Sequence, residues 1–347
     1  MSITSRYVRR KSSSWQVMTL LLLVTLLVPM LTPFSSMHVR AQDSGHSAAT
    51  VARGAAELLF EEEGIYGVVF METDGTMLYK HNAELPFVAA SLFKLIIMVD
   101  IFSRRERNEL TFDDLVVLQT SDFPYFEDPD LNEDTYFASN TVGLQFTIGE
   151  LMEAMISYSS NVAARAFIRM TNTINLNHIA HDMGMIDTHI LLPMDEITPW
   201  PPEGLAESNQ TQTDEALEFI ALAGQEGTVN ITTPADIATF FLQLANRELI
   251  SEAVSEEMEA LLGRQQVNDR IPFLLPDETF CPHKTGNLIN VVHDAGIVYG
   301  PNGPTIMVAL TEQVEDEDRA TAVIQRLALI AYGETELPPI PSSTPEA

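Results

Sequence analysis

Cysteine is almost missing: Cys281 is the single one in 347 residues. No intrachain disulfide can form, a cysteine-based metal site is excluded, and a lipoprotein anchor is not expected. Lysine is nearly as scarce, with only Lys11, Lys80, Lys94 and Lys284. Positive charge as a whole is short: 19 Lys and Arg stand against 49 Asp and Glu, a net charge of −30. Residues 1–41 hold Arg6, Arg9, Arg10, Lys11 and Arg40 and no acid, so the remainder is more acidic still. Such a surface repels phosphate backbones, and no nucleic-acid partner is expected. Internal repeats are absent, and the eight histidines show no HExxH-like spacing. No metal site and no cofactor are expected. Apolar residues make up 46%, enough for a sizeable core, so the acidic bias does not mean disorder.

A long membrane-spanning run is also missing. A basic stretch, Arg6 to Lys11, precedes an apolar one from Val17 to Val28, which Pro29 and Pro33 interrupt. About 12 clean apolar residues fall short of the ~20 that span a bilayer. Val39-Arg40-Ala41 has the small-x-small pattern of a signal-peptidase site. Residues 1–41 read as a cleaved secretory signal, with an uncleaved anchor as the alternative. The protein is expected to be exported, extracellular or in the periplasm and cell envelope, touching a membrane only if that segment is retained. Residues 42–49 read as a linker and 336–347, rich in proline, as a disordered tail. That leaves 50–335 as the folded domain, expected as a monomer.

Helices are expected at Ala49–Glu63, Ser91–Arg105, Thr147–Ser157, Asn161–Thr171, Asp214–Ala223, Ala235–Asn246, Ser251–Leu262 and Asp316–Tyr332. Thr233 before Pro234 is a good helix start. Strands are expected at Tyr66–Glu72 and Thr76–Lys80, joined at Asp74-Gly75, and at Phe280–Gly286, Val291–Tyr299 and Thr305–Thr311. Grouped strands rather than regular alternation argue against a Rossmann or barrel design. A mostly antiparallel sheet built from both chain ends, with a helical insertion, fits the order.

In a chain that takes its positive charge mainly from Arg, a retained lysine points to work Arg cannot do, such as losing a proton when desolvated. Ser91-Leu-Phe-Lys94 puts a hydroxyl and an amine one helical turn apart. A serine needs a base to attack, and a desolvated lysine is one. The plain alternative is a capping Ser and a snorkelling Lys. Ser159-Ser160-Asn161 falls at the break between two helices, offering a hydroxyl to shuttle a proton and an amide to bind a peptide carbonyl; the plain alternative is a capping turn. In His283-Lys284-Thr285-Gly286, Lys284 and Thr285 offer a cation and a hydroxyl to a carboxylate, and Gly286 inside a strand marks a close approach. A strand end at a turn is the plain alternative. His283 reads as structural and Cys281 as a small buried residue.

Taken in order, these residues resemble the penicillin-recognising serine enzymes, the class A β-lactamases and D,D-peptidases, with their S-x-x-K, S-x-N and K-T-G signature. The flanks resemble the class A group too: Thr147-Ile-Gly-Glu-Leu running into Ser157-Tyr-Ser-Ser-Asn-Val-Ala-Ala, Thr232-Thr-Pro, and His293-Asp-Ala-Gly-Ile-Val. The resemblance implies a three-layer α/β/α sandwich, with a five-stranded antiparallel sheet beside an all-helical subdomain and the site between them. It implies a small-molecule β-lactam or D-Ala-D-Ala peptide substrate that acylates Ser91. It implies Lys94 as base or proton relay, Ser159 passing a proton to the departing nitrogen with help from Lys284, and Asn161, Lys284, Thr285, Gly286 and Asn287 binding substrate. The Ser91 and Asn287 backbone N–H groups would form the oxyanion hole. Two departures stand out. Ser160 occupies the place where β-lactamases usually have Asp, and the E-x-x-x-N context of the deacylating Glu is missing. Among Asp195, Glu196, Glu203 and Glu207, Glu196 is preferred for that part, the alternative being that none plays it. The family often has an Arg about ten residues past the KTG lysine; Asp294 stands there, and Arg319 reads as a surface residue. A β-lactamase-like hydrolase is thus expected. A cell-wall D,D-carboxypeptidase or penicillin-binding protein is one alternative, and an exported binding domain with a weakened site is another.

Overall fold

The computed structural model describes residues 47–60, 62–123, 134–190 and 230–341. All lie in the unit Asp43–Ala347. Helix α1 (Ala48–Leu59) starts at Ser47, whose Oγ accepts from Thr50 N at 3.2 Å. Strands β1 (Ile65–Glu72) and β2 (Met77–His81) form a hairpin. Its turn closes because Gly75 takes φ 87° and Asp74 Oδ1 accepts from Thr76 N at 2.8 Å. A short strand β3 (Phe87–Val88) leads through a 3₁₀ turn (Ala90–Phe93) into α2 (Lys94–Glu106). Strands β4 (Leu115–Val117) and β5 (Gln145–Thr147) pair, and α3 (Ile148–Ser157), α4 (Asn161–Ile168) and α5 (Thr173–Asp182) follow. Beyond residue 229, β6 (Ile231–Thr232) pairs with β3 and runs into α6 (Pro234–Ala245) and α7 (Glu252–Leu262). The chain ends its fold with β7 (His283–Leu288), β8 (Val291–Gly300), β9 (Gly303–Glu312) and α8 (Glu317–Tyr332).

The main sheet has five strands in the order β2-β1-β9-β8-β7, every pair antiparallel. Strands from the two chain ends meet where β1 pairs with β9. Alternation along each strand divides the core in two. Val68 and Phe70 of β1 join Met307 and Ala309 of β9 against Val51, Ala55, Val323 and Leu327 of α1 and α8. On the other face, Val69, Ile306, Val308 and Leu310 pack toward α2, α3, α4 and α6. The expected sandwich is therefore the observed one, with the helices α2 to α5 as the inserted block.

Some local expectations shift. The helix expected from Ser91 starts as a 3₁₀ turn and becomes α-helical at Lys94. The helix expected to reach Thr171 stops at Ile168, and Asn172 caps a separate helix, α5, by accepting from Asn175 N at 2.8 Å. Its run of Thr, Asn and His has weak helix propensity and left no signal. Strand β7 begins at His283, just past Pro282, which has no N–H to give a ladder. Part of the expected tail is packed: Leu337 and Ile340 lie on the α1–α8 core, and Arg326 Nε donates to Pro338 O at 2.8 Å. The expected signal segment and the helix Asp214–Ala223 lie outside the described residues.

Gly67 shows how tightly β1 is covered. A Cβ there would lie 2.5 Å from Phe87 Cε2 and 2.6 Å from Pro234 Cγ. Gly67→Ala is expected to cost about 1–3 kcal/mol, read as a lower urea midpoint with an unchanged slope.

Candidate active site

Helix α2 fixes the centre. Every residue from Lys94 to Phe102 is buried, so this helix is apolar nearly all round and locked by packing on all sides. Lys94 opens it with 0% exposure. One turn earlier, Ser91 sits in the 3₁₀ turn, and Lys94 Nζ donates to Ser91 Oγ at 3.1 Å. Nζ also donates to Ser159 O at 2.6 Å and Asn161 Oδ1 at 2.7 Å, with Ser159 Oγ further off at 3.4 Å. From β7, Lys284 Nζ donates to Ser159 Oγ at 2.9 Å and to Thr285 O at 2.9 Å. The Ser159 hydroxyl thus lies between two fully buried lysines.

Burial lowers the Lys94 ammonium to about 7, with Asp134 opposing the shift. Burial also drives Lys284 well below its ordinary value, helped by Lys94 and Arg270 and opposed by Asp294. Two desolvated ammoniums on one hydroxyl disfavour double protonation. The partners of Lys94 then decide where its lone pair points. Ser159 O and Asn161 Oδ1 can only accept, so they take the two N–H bonds of a neutral amine. Ser91 is the remaining close partner, and its hydroxyl can donate.

The Ser91 turn is held from behind. Ala90 adopts φ 44° and Ser159 φ 59°, left-handed values that cost non-glycine residues about 1–3 kcal/mol each. Val88, just upstream, is gripped at both backbone groups. Its N–H donates to the Glu312 carboxylate and its C=O accepts from His293 Nε2 at 2.7 Å. Thr311 N donates to His293 Nδ1 at 3.1 Å, which fixes the neutral tautomer; burial lowers that imidazole to about 4. Gly286 closes the front. A Cβ there would meet Ala90 Cβ at 3.1 Å and Ser91 N at 3.2 Å, so a side chain at this position would press β7 away from the turn by a few tenths of an ångström.

Ser91, Lys94, Ser159, Asn161 and Lys284 share one hydrogen-bonded cluster, with Thr285 and Gly286 on the strand beside it. Asn287 is exposed at the far end of that run, and its Oδ1 accepts from Arg270 Nη2 at 2.8 Å. Asp195, Glu196, Glu203 and Glu207 lie outside the described residues. His283 is buried against Asp294, Nδ1 to Oδ1 at 2.8 Å, and Arg319 pairs with Glu62, Nε to Oε2 at 2.7 Å. The cation beside the KTG strand is instead Arg270, nearly buried, with Nη1 donating to His293 O at 3.0 Å. Arg270, Asp134 and Glu312 had no motif to announce them, whereas His293 opens one of the flanks that carry the resemblance.

A five-stranded sandwich with a serine–lysine centre where sheet meets helices is the design of the penicillin-recognising serine enzymes. The family described as "Beta-lactamase enzyme family" matches residues 50–335, and the chain belongs to it. No curated protein matches the chain significantly. Among solved structures, a β-lactamase from Sphaerobacter thermophilus DSM 20745 is 24% identical, with TM-score 0.62, over 80% of this chain and 95% of its own. PBP-A is 22% identical, with TM-score 0.62, over 81% and 94%. A β-lactamase from Xanthomonas campestris pv. campestris is 19% identical, with TM-score 0.64, over 83% and 97%. At these identities the likeness is one of fold.

Burial raises the Glu312 carboxyl to about 7. The folded chain keeps this proton to higher pH than the unfolded one does. The stabilisation is therefore complete below about pH 4.3, the unfolded value, and is lost as pH rises through about 7. Glu312→Gln keeps an acceptor for Val88 N–H and cannot ionise. Its melting temperature relative to the parent is expected to rise between about pH 5 and about pH 8. A constant difference across that range would show that folding does not raise the Glu312 carboxyl.

Proposed function

We propose that the chain is an exported serine hydrolase that opens β-lactams through an acyl-enzyme on Ser91. The observation that carries this reading is the set of Lys94 contacts, which leaves the lone pair of a neutral amine to Ser91 Oγ at 3.1 Å. Lys94 takes the hydroxyl proton as Oγ attacks the lactam carbonyl. The Ser91 and Asn287 N–H groups hold the oxyanion, each such donor being worth roughly 3–4 kcal/mol in other enzymes. The C–N bond breaks, and the departing nitrogen takes the proton of Ser159 Oγ, which is restored from Lys94 with Lys284 alongside. Asn161 holds the substrate amide. Lys284, Thr285 and the neighbouring Arg270 form a cationic wall for the substrate carboxylate. Water then attacks the ester and releases the acid, with Glu196 as the proposed base. Export rests on residues 1–41 read as a signal; among the described residues, no helix is long and apolar enough to cross a membrane.

One observation favours a second reading. Among the described residues, no carboxylate hydrogen-bonds Ser91 or Lys94. Without a deacylating base, Ser91 would be acylated and released slowly, as in a cell-wall D,D-carboxypeptidase or penicillin-binding protein.

Mass spectrometry after brief and long penicillin exposure separates these readings. A transient adduct that disappears as product accumulates supports the hydrolase, a lasting one the second reading, and no adduct a binding domain without acyl chemistry. Ser91→Ala is expected to lower nitrocefin turnover by roughly a thousandfold; full turnover in that variant would exclude Ser91 as nucleophile. The acylation rate is expected to rise with pH through a midpoint near about 7, as Lys94 loses its proton. A rate flat from about pH 6 to about pH 9 would count against Lys94 as base.

A further inference from the structure

We propose that Asp134 is a positioning residue for acylation: its carboxylate sets the Ser159–Asn161 turn so that the turn's oxygens face Lys94. This rests on the acyl-enzyme reading above. Asp134 lies in a stretch 25 residues before the turn, yet it is the acceptor around which the turn is built. Its Oδ1 accepts from Ser160 Oγ at 2.9 Å, Tyr136 N at 3.0 Å and Phe137 N at 2.9 Å. Its Oδ2 accepts from Asn161 N at 2.8 Å and Val162 N at 3.0 Å. Ser160 Oγ, having given its hydrogen to Asp134, accepts from Ala163 N at 3.0 Å. One carboxylate and one hydroxyl thereby take up the first three free N–H groups of α4.

The residues on either side of Ser160 are the two that Lys94 reads. Ser159 is held at φ 59° and Asn161 starts the helix, so an error in the turn displaces Ser159 O, Ser159 Oγ and Asn161 Oδ1 together. The stretch after Asp134 pins the other side of the turn: Thr135 Oγ1 donates to Tyr158 O at 2.7 Å, and the Tyr136 and Tyr158 rings sit 4.9 Å apart. The small Ser160 lets this arrangement close. A carboxylate that resembling enzymes carry within the motif is here supplied by another segment, with a hydroxyl as the link.

Asp134 also opposes the burial of Lys94 electrostatically. Among the described residues, the charged group influencing Lys94 is Asp134, and those influencing Lys284 are Lys94, Asp294 and Arg270. Removing the Asp134 charge is therefore expected to let Lys94 lose its proton at lower pH, a change that mere loss of a cap would not produce.

Acylation by a fluorescent penicillin tests this in the full chain, with Asp134→Ala and Asp134→Asn beside the parent and rates normalised to folded protein by circular dichroism. Asp134→Ala is expected to acylate about tenfold or more slowly, and Asp134→Asn, which keeps one acceptor oxygen, by less. The rate–pH midpoint of Asp134→Asn is expected below the parent's. If the parent is labelled and both variants acylate at its rate and midpoint, Asp134 is only a helix cap and the proposal is wrong. Should Asp134→Ala not fold, Asp134→Asn alone decides, by rate and midpoint. A parent that is never labelled overturns the acyl-enzyme reading and this one with it.

Discussion

Two lysine ammonium groups with no exposed surface meet at one serine hydroxyl, and dehydrating them is the demand that the surrounding structure answers. An unpaired buried charge costs several kcal/mol. Here each Nζ finds oxygen acceptors, supplied by Ser91 of the 3₁₀ turn, by the α3–α4 turn and by the β7 backbone. Loss of the proton by one amine relieves the rest. The same dehydration that costs stability is what makes a lysine basic in the useful range.

Holding these groups requires the backbone to be bent where it would not bend by itself. Ala90, next to Ser91, and Ser159 itself are both left-handed. Neither is glycine, so the conformations are imposed from outside. For Ala90, the grip of Glu312 and His293 on Val88 and the bare face of Gly286 do this. For Ser159, the closing contacts come from Asp134 and Lys94. Strain of this sort persists where the neighbours over-determine it.

Much of this was legible in the sequence. Short apolar runs bounded by turn residues announced the strands, and the order of elements gave the sheet's two-ended construction. Ser91, Lys94, Ser159, Asn161 and Lys284 stood out because lysine is rare and because three short motifs came in order. What stayed hidden is of another kind. Glu312, Asp134 and Arg270 act through contacts between segments distant in the chain, and a lone Asp or Glu in an acidic protein carries no mark. Helix α5 was hidden because its residues lack helix propensity and are organised by the Asn172 cap. Pro282 and the strained 3₁₀ turn moved element starts by a few residues, since backbone donors rather than hydropathy decide ends.

The pairing of β1 with β9 carries a consequence for biogenesis. Val69 lies opposite Val308, so the middle of the sheet stays open until nearly the whole polypeptide has left the ribosome. Contacts this remote in sequence form late and slowly. Until then Ser91 has no wall against it, because Gly286 arrives with the final third of the chain. An unfinished chain thus lacks the packed cluster of Ser91, Lys94, Ser159 and Lys284, which assembles only once the last strands are in place.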